Sequence, residues 1–211
     1  RHDINLSNSH FSYFGYPLFK TCGIPNVTFI HNVYAFLTPP MLAAFREADR
    51  YVDHYISVSS SATRYAIGRL GLPAEKITTI PNGLIVDEHE ERKRNAPAVT
   101  RGEFGLFETD YVFLNVASYN LHKGHYLMAD AMCRITQERG DIKILCIGNV
   151  INPSHVAAFR RYLKEKDLDR AILMPGYYSN VESFYGITDA FLLPSFIEGW
   201  SIAMNEAMFY G

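Results

Sequence analysis

The chain has 211 residues, 48% of them hydrophobic, and a formal charge of −2. That length and apolar content allow one or two domains with a buried core, while the near-neutral balance gives no bulk attraction for nucleic acid; the run Glu91-Arg92-Lys93-Arg94 reads as a solvated linker. Cys22, Cys133 and Cys146 are odd in number, lack a C-x-x-C spacing and read as reduced core cysteines of a cytoplasmic protein, and no apolar run approaches the ~20 residues that cross a bilayer.

In chain order, Ile4 to Ser7 reads as a short strand and Phe11 to Lys20 as an aromatic helix. Gly23-Ile24-Pro25 then turns into the β-branched strand Val27 to Ile30. His31 follows at that strand's end, where open parallel sheets meet ligands and His31-Asn32 could donate to a hydroxyl or phosphate. The bland alternative is a histidine that caps the strand. Met41 to Val52 is apolar near a 3.6 period and reads as a helix, followed by a strand over Tyr55 to Ser59. Ser60 or Ser61 caps the next helix, which runs to Leu70 and closes at Gly71 with Pro73 beyond. Lys76 to Ile80 is a further strand, turned by Pro81-Asn82-Gly83. Charges, Pro97 and missing periodicity make Leu84 to Val99 an interdomain linker, dividing the chain at about residues 1–95 and 96–211.

The second half repeats strand and helix: a strand over Val112 to Ala117, a loop over Ser118 to Gly124, a helix to about Arg139 and a strand over Ile142 to Ile147. Gly148-Asn149 follows as a close-approach point for a nucleotide. Pro153 to Lys166 is helical, Ile172 to Met174 a strand and Val181 to Gly186 a short helix. This alternation predicts an α/β fold built on doubly wound parallel sheets. Lys123, at the mouth of a βα loop, can reach phosphate oxygens as a flexible point charge, although most lysines so placed are surface residues.

The last stretch carries the densest signal. Ala190 to Leu193 is an apolar run suited to a strand covered on both faces, Glu198-Gly199 a turn, and Ser201 onward a helix ending near Gly211. Free backbone N–H groups at that helix's start attract an anion such as a diphosphate. Glu198 lies just before the helix and Glu206 about 7.5 Å along it at ~1.5 Å per residue, so the two carboxylates could take sugar hydroxyls on either side of the phosphates. Two solvated glutamates on a surface helix would leave the same spacing.

Pro194-Ser195-x-x-Glu198-Gly199 followed by Glu206-Ala207-Met208 resembles the E-x7-E signature of family-4 glycosyltransferases, retaining enzymes with two Rossmann-like domains, the GT-B architecture. The passage from Ala48-Asp49-Arg50 to Pro81-Asn82-Gly83 is similar to the end of that family's N-terminal domain. Two departures stand out: Ser201-Ile202-Ala203 where the family has Gly-Leu-Pro, and Ser118 where it usually has Arg, one positive charge fewer near the phosphates. The chain opens without Met inside what reads as a βα unit and stops inside the signature, so both sheets are expected to be incomplete.

The resemblance implies a retaining glycosyltransferase that moves a sugar from a nucleotide-diphosphate sugar to a glycan, lipid or small-molecule acceptor, with no cofactor or metal. Lys123 and Gly124 would neutralise the diphosphate together with the amides near Gly199, Trp200 and Ser201. Glu206 would hold the ribose, Glu198 the transferred sugar, and His31 would act from the other domain. The expected location is the cytoplasm, with peripheral contact to the inner face of a membrane left open. The alternatives are a non-catalytic nucleotide-sugar or glycan-binding subunit and a sugar-nucleotide epimerase. Asp167-Leu168-Asp169, a D-x-D, reads as a solvated turn, and the His122/His125 pair has no third ligand for zinc.

Overall fold

The computed structural model describes residues 4–10, 13–34 and 36–211. Phe11, where the sequence places the start of a helix, lies outside them. The chain forms two compact units, residues 1–83 with 197–201 and residues 84–196 with 202–211.

The first unit is a parallel sheet of β1 (Ser7–His10), β2 (Asn26–Ile30), β3 (His54–Ser57) and β4 (Ile77–Thr79), in that spatial order. Helices α1 (Tyr16–Thr21), α2 (Pro39–Ala48) and α3 (Ser60–Tyr65) fill the crossovers. The first strand lies later than the apolar pattern suggests. Ile4 and Leu6 are exposed, whereas buried Ser7 pairs with Asn26 in the ladder and donates from its hydroxyl to the Asn26 side-chain oxygen at 3.0 Å. Polar cross-strand bonding, not hydrophobicity, sets that register.

Ser59, rather than Ser60 or Ser61, caps α3, its hydroxyl accepting from the Ala62 N–H at 3.1 Å. The helix then widens into a π turn over Ala66–Leu70 and closes at Gly71, whose φ of 75° is the left-handed conformation the sequence assigns to it. Tyr16, Ile30, Tyr55, Ala62, Ala66 and Leu70 form this unit's buried core.

The second unit has strands β5 (Tyr111–Val116), β6 (Ile142–Ile147), β7 (Ile172–Gly176) and β8 (Ala190–Phe191), all parallel, in the order β7-β6-β5-β8. From β5 the chain steps outward through β6 to β7, then returns to place β8 on the other side of β5. That reversal is a topological switch point between β5 and β8. Helices α4 (Val86–Asn95), α5 (His125–Glu138), α6 (Pro153–Glu165), α7 (Glu182–Tyr185) and α8 (Ile202–Tyr210) complete it. Successive β6 residues enter opposite cores: Ile144 and Cys146 pack with Met132 and Phe159, Leu145 and Ile147 with Leu114 and Phe184. Burial on both faces explains why β6 reads as an unbroken apolar run.

Three expectations need correction. The stretch read as an interdomain linker without periodicity contains α4, a helix too polar to show an apolar period. Asp87 and Glu88 in its first turn and Arg92, Lys93 and Arg94 in its last complement the helix dipole. The final strand is shorter than Ala190 to Leu193 and half-buried, because β8 is an edge strand among the described residues and the Asn115 side chain takes over the Leu192 carbonyl at 2.8 Å. Of the three free cysteines, Cys146 is buried with its thiol pushed up to about 12 and Cys133 is half-buried, but Cys22, at the end of α1, is exposed.

Candidate active site

In the second unit, the loop leaving β5 is built for a close fit at the switch point. Asn120 starts a 3₁₀ turn over Leu121–Lys123, its side chain accepting from the His122 N–H at 3.0 Å. Lys123 ends that turn. Gly124 follows with a φ of 71°, and a Cβ there would sit 2.2 Å from the Pro194 carbonyl oxygen, so conformation and space both demand glycine. The Phe196 N–H donates to the His122 carbonyl at 2.9 Å, fastening the exit of β8 to the same loop. Lys123 is thereby held at the carboxyl ends of β5 and β8.

Helix α5 starts at His125 with no side-chain cap and no acidic residue in its first turn. Its N-terminal amides and dipole favour an anion at that end. Ser118, at the position where the resemblance implies arginine, accepts from the Asn120 side chain at 2.9 Å and so braces the loop instead of adding charge. Gly148 is a close-approach point of a different kind from the one expected: its missing side chain makes room for this unit's own backbone, a Cβ falling 1.8 Å from the Ala117 carbonyl oxygen. Asn115 and Asn120 escape sequence reasoning as parts of this end of the sheet, as does the contact of Pro194 with Gly124. Of these only Asn120, an Asn ahead of a tight turn, carries a local signal.

Glu206 lies on α8. Three residues before it, the Ala203 carbonyl accepts from the Tyr185 hydroxyl at 3.3 Å. Four after it, Tyr210 stacks on Tyr185 and bonds through its hydroxyl to Nδ1 of His89 at 3.0 Å. That helix face therefore packs toward α7 and α4. Burial raises the Glu206 carboxyl above its usual range, Glu182 adds to the rise, and His89 and Arg92 oppose it.

In the first unit, His31 leaves the carboxyl end of β2. Nδ1 of His10 and Nε2 of His31 are 2.6 Å apart, one donating to the other, and both rings stack with Phe29. Burial, with His10 beside it, lowers the His31 pKa below the usual imidazole value, which favours the neutral ring. The sequence gives no sign of His10, because the pairing spans 21 residues and depends on the β1–β2 register. The segment 197–201 belongs to this unit and brings Gly199 against His31: a Cβ on Gly199 would lie 2.0 Å from the His31 carbonyl oxygen. Gly199 and Ser201 are buried, Glu198 and Trp200 half-buried, and the Trp200 indole nitrogen is buried without a protein partner. Glu198 thus belongs to the first unit and Glu206 to the second.

Asp167-Leu168-Asp169 forms the turn between α6 and β7, with Asp167 left-handed at φ 53° and Leu168 buried. It precedes β7 and so sits at the opposite end of the sheet from Lys123. His125 is buried between Tyr119 and Phe159 while His122 is exposed, and no group of three or more metal-ligating side chains occurs among the described residues. No helix among them is long and apolar enough to cross a membrane.

A family model described as "Glycosyl transferases group 1" matches residues 98–211, more than half of the chain. The chain belongs to that family. A second model, "Glycosyltransferase Family 4", matches residues 1–88 of this group 1 glycosyl transferase. The chain is 23% identical over 140 residues to an alpha-galactosylglucosyldiacylglycerol synthase of Streptococcus pneumoniae, covering 65% of this chain and 36% of that protein. It is 25% identical over 147 residues to a lipopolysaccharide 1,2-N-acetylglucosaminetransferase of Salmonella typhimurium, covering 66% and 38%. Anabaena HepE, solved in complex with UDP and glucose, superposes with a TM-score of 0.82 at 16% identity, covering 98% of this chain and 57% of that one. At that identity the likeness carries the fold, two Rossmann-like parallel sheets of the GT-B kind. The group 1 glycosyl transferase chain spans between 36% and 57% of the length of these three proteins.

Proposed function

We propose that the protein transfers a glycosyl group from a nucleoside diphosphate sugar to an acceptor hydroxyl, with retention at the anomeric carbon. The observation that carries this is the seat at the β5/β8 switch point: Lys123 on a braced loop, Gly124 pressed against Pro194, and the uncapped start of α5. As the bond from the anomeric carbon to the diphosphate breaks, negative charge grows on the leaving oxygen, and positive groups already fixed in place stabilise that charge more than the ground state. Lys123 and the α5 amides are such groups, and in this reading they act without a metal. The amides at Gly199, Trp200 and Ser201 add to them, Glu206 accepts from the ribose, Glu198 from the transferred sugar, and neutral His31 serves the acceptor. The two relatives above, a galactosylglucosyldiacylglycerol synthase and a lipopolysaccharide N-acetylglucosaminetransferase, support a glycan or lipid acceptor. The reading fits an enzyme of the cytoplasm working at a membrane's inner face.

Lys123→Ala in the full-length protein tests it. Removing one such donor costs about a hundredfold or more in kcat, so near-normal turnover in the variant would take Lys123 out of the mechanism. Proton NMR of the fresh product reads retention directly, and an inverted anomer would overturn that part. The serine at position 118 favours a second reading, a subunit that binds the nucleotide sugar without using it, because its hydroxyl is engaged in bracing the loop. Thermal stabilisation by a nucleotide sugar with neither transfer nor hydrolysis would select that reading.

A further inference from the structure

Within the first unit, a cavity of about 280 Å³ opens beside α2, lined by Tyr13, Phe29, Tyr34, Phe36, Met41 and Phe45 among others. Among the described residues no charged side chain lines it. Three of the polar groups that reach it are engaged: the Thr28 hydroxyl lies 2.7 Å from the Tyr16 hydroxyl, the Tyr34 hydroxyl accepts from the His31 N–H at 3.2 Å, and the Tyr34 carbonyl accepts from Tyr65 at 2.6 Å. With so little polar lining, a peptide would leave most of its backbone groups unsatisfied there. Two lining residues tie the cavity to His31. Phe29 stacks with the His31 and His10 rings, and Tyr34 holds the His31 amide.

We propose that this cavity takes the hydrocarbon chain of the acceptor while the acceptor's hydroxyl lies at His31. The inference rests on the reading of the first unit as the acceptor side. At ~30 Å³ per water-sized volume the space suits a single alkyl chain of about eight to ten carbons. The exposed edges of Phe36 and Met41 give such a chain an apolar rim at the entrance.

Calorimetric titration of the full-length protein with n-hexyl, n-octyl and n-decyl β-D-glucopyranoside below their micelle concentrations, with glucose as the chainless reference, tests this. Affinity is expected to rise about fourfold per methylene until the cavity is filled and then to level off. Ala44→Trp places an indole in the cavity from an exposed helix position and is expected to flatten the series to the glucose value, with nucleoside diphosphate affinity unchanged. Four results would overturn the proposal: no dependence on chain length, an equal dependence in Ala44→Trp, uptake by vesicles alone, or a chain-length effect that follows dimerisation in sedimentation. An intact series in a protein that binds no nucleoside diphosphate would support the cavity and overturn the donor reading; the converse would overturn the cavity alone.

Discussion

The two sheets are built from the same parallel ladder but differ in strand order, and that difference separates what each can do. Strands β1 to β4 follow one another across the first sheet, so among the described residues it has no reversal of direction. The second sheet reverses between β5 and β8, and there two loops leave side by side with room between them for a ligand. The protein fills part of that room with its own backbone, since Gly124 admits the Pro194 carbonyl where a methyl would stand. What remains is a rigid seat bearing Lys123. The end of β2 is furnished differently, with two stacked histidines and an aromatic cavity. In the proposed reading, one unit neutralises charge and the other places a hydroxyl and an apolar group.

The comparison breaks first at Gly124. Gly124→Ala must adopt a positive φ and overlap the Pro194 carbonyl, whereas Gly105→Ala, at a φ of 70° with no neighbour within 4 Å, meets the conformational cost alone. The control should lose about 1–2 kcal/mol in urea unfolding. Gly124→Ala should lose clearly more and bind no nucleoside diphosphate. Equal losses would mean that the packing of the two loops is not what holds the seat.

His125 gives the next effect. Its ring is buried between Tyr119 and Phe159 with neither nitrogen bonded to protein, and burial pushes its pKa down to about 4. The unfolded chain protonates near pH 6.5 and the folded one only near 4, so this group costs nothing at pH 7 and removes stability as pH falls through that window. The full loss is about 3 kcal/mol. His125→Phe should keep the aromatic stack and flatten the stability curve between pH 6.5 and pH 4, as urea unfolding at each pH would show. An unchanged curve would place the acid sensitivity elsewhere.

Glu206 distinguishes the two units by ligand rather than by stability. Glu206→Ala should weaken nucleoside diphosphate sugar binding by about tenfold or more, the worth of a hydrogen bond to a charged group, and leave n-octyl glucoside binding alone. Because its carboxyl pKa is raised, donor affinity in the parent protein should fall as pH drops through a range above the ordinary carboxylate value. Calorimetry with both ligands reads this, and a loss of both would mean that Glu206 supports the fold.

The legibility of the molecule follows burial. Strand β6 is found at its expected residues because both its faces enter cores and every position is apolar or aliphatic-stemmed. Strand β1 and helix α4 escape because their stability comes from paired side chains and charge placement, which leave no hydrophobic period. At the site, Lys123 and Gly124 stand out only through the family motif; nothing local to them predicts Pro194, 70 residues on, as the wall Gly124 meets. His10 is hidden for the same reason, since a register 21 residues long in sequence creates its contact with His31.

The smallest effect is also the sharpest test of that lesson. Ser59, Ser60 and Ser61 are indistinguishable as cap candidates by residue type, and the choice depends on where β3 releases the chain. Ser59 has extended dihedrals, φ −163° and ψ 159°, and offers its hydroxyl to the Ala62 N–H, while Ser60 is already the first residue of α3. Ser59 is buried as well, so its loss would leave an unsatisfied helix amide away from water. Ser59→Ala should therefore cost about 1 kcal/mol, and Ser60→Ala, at an exposed helical position, should cost less than half of that. If thermal unfolding ranks them the other way, the helix begins one residue later, and the exit of β3 is longer than His54–Ser57 implies.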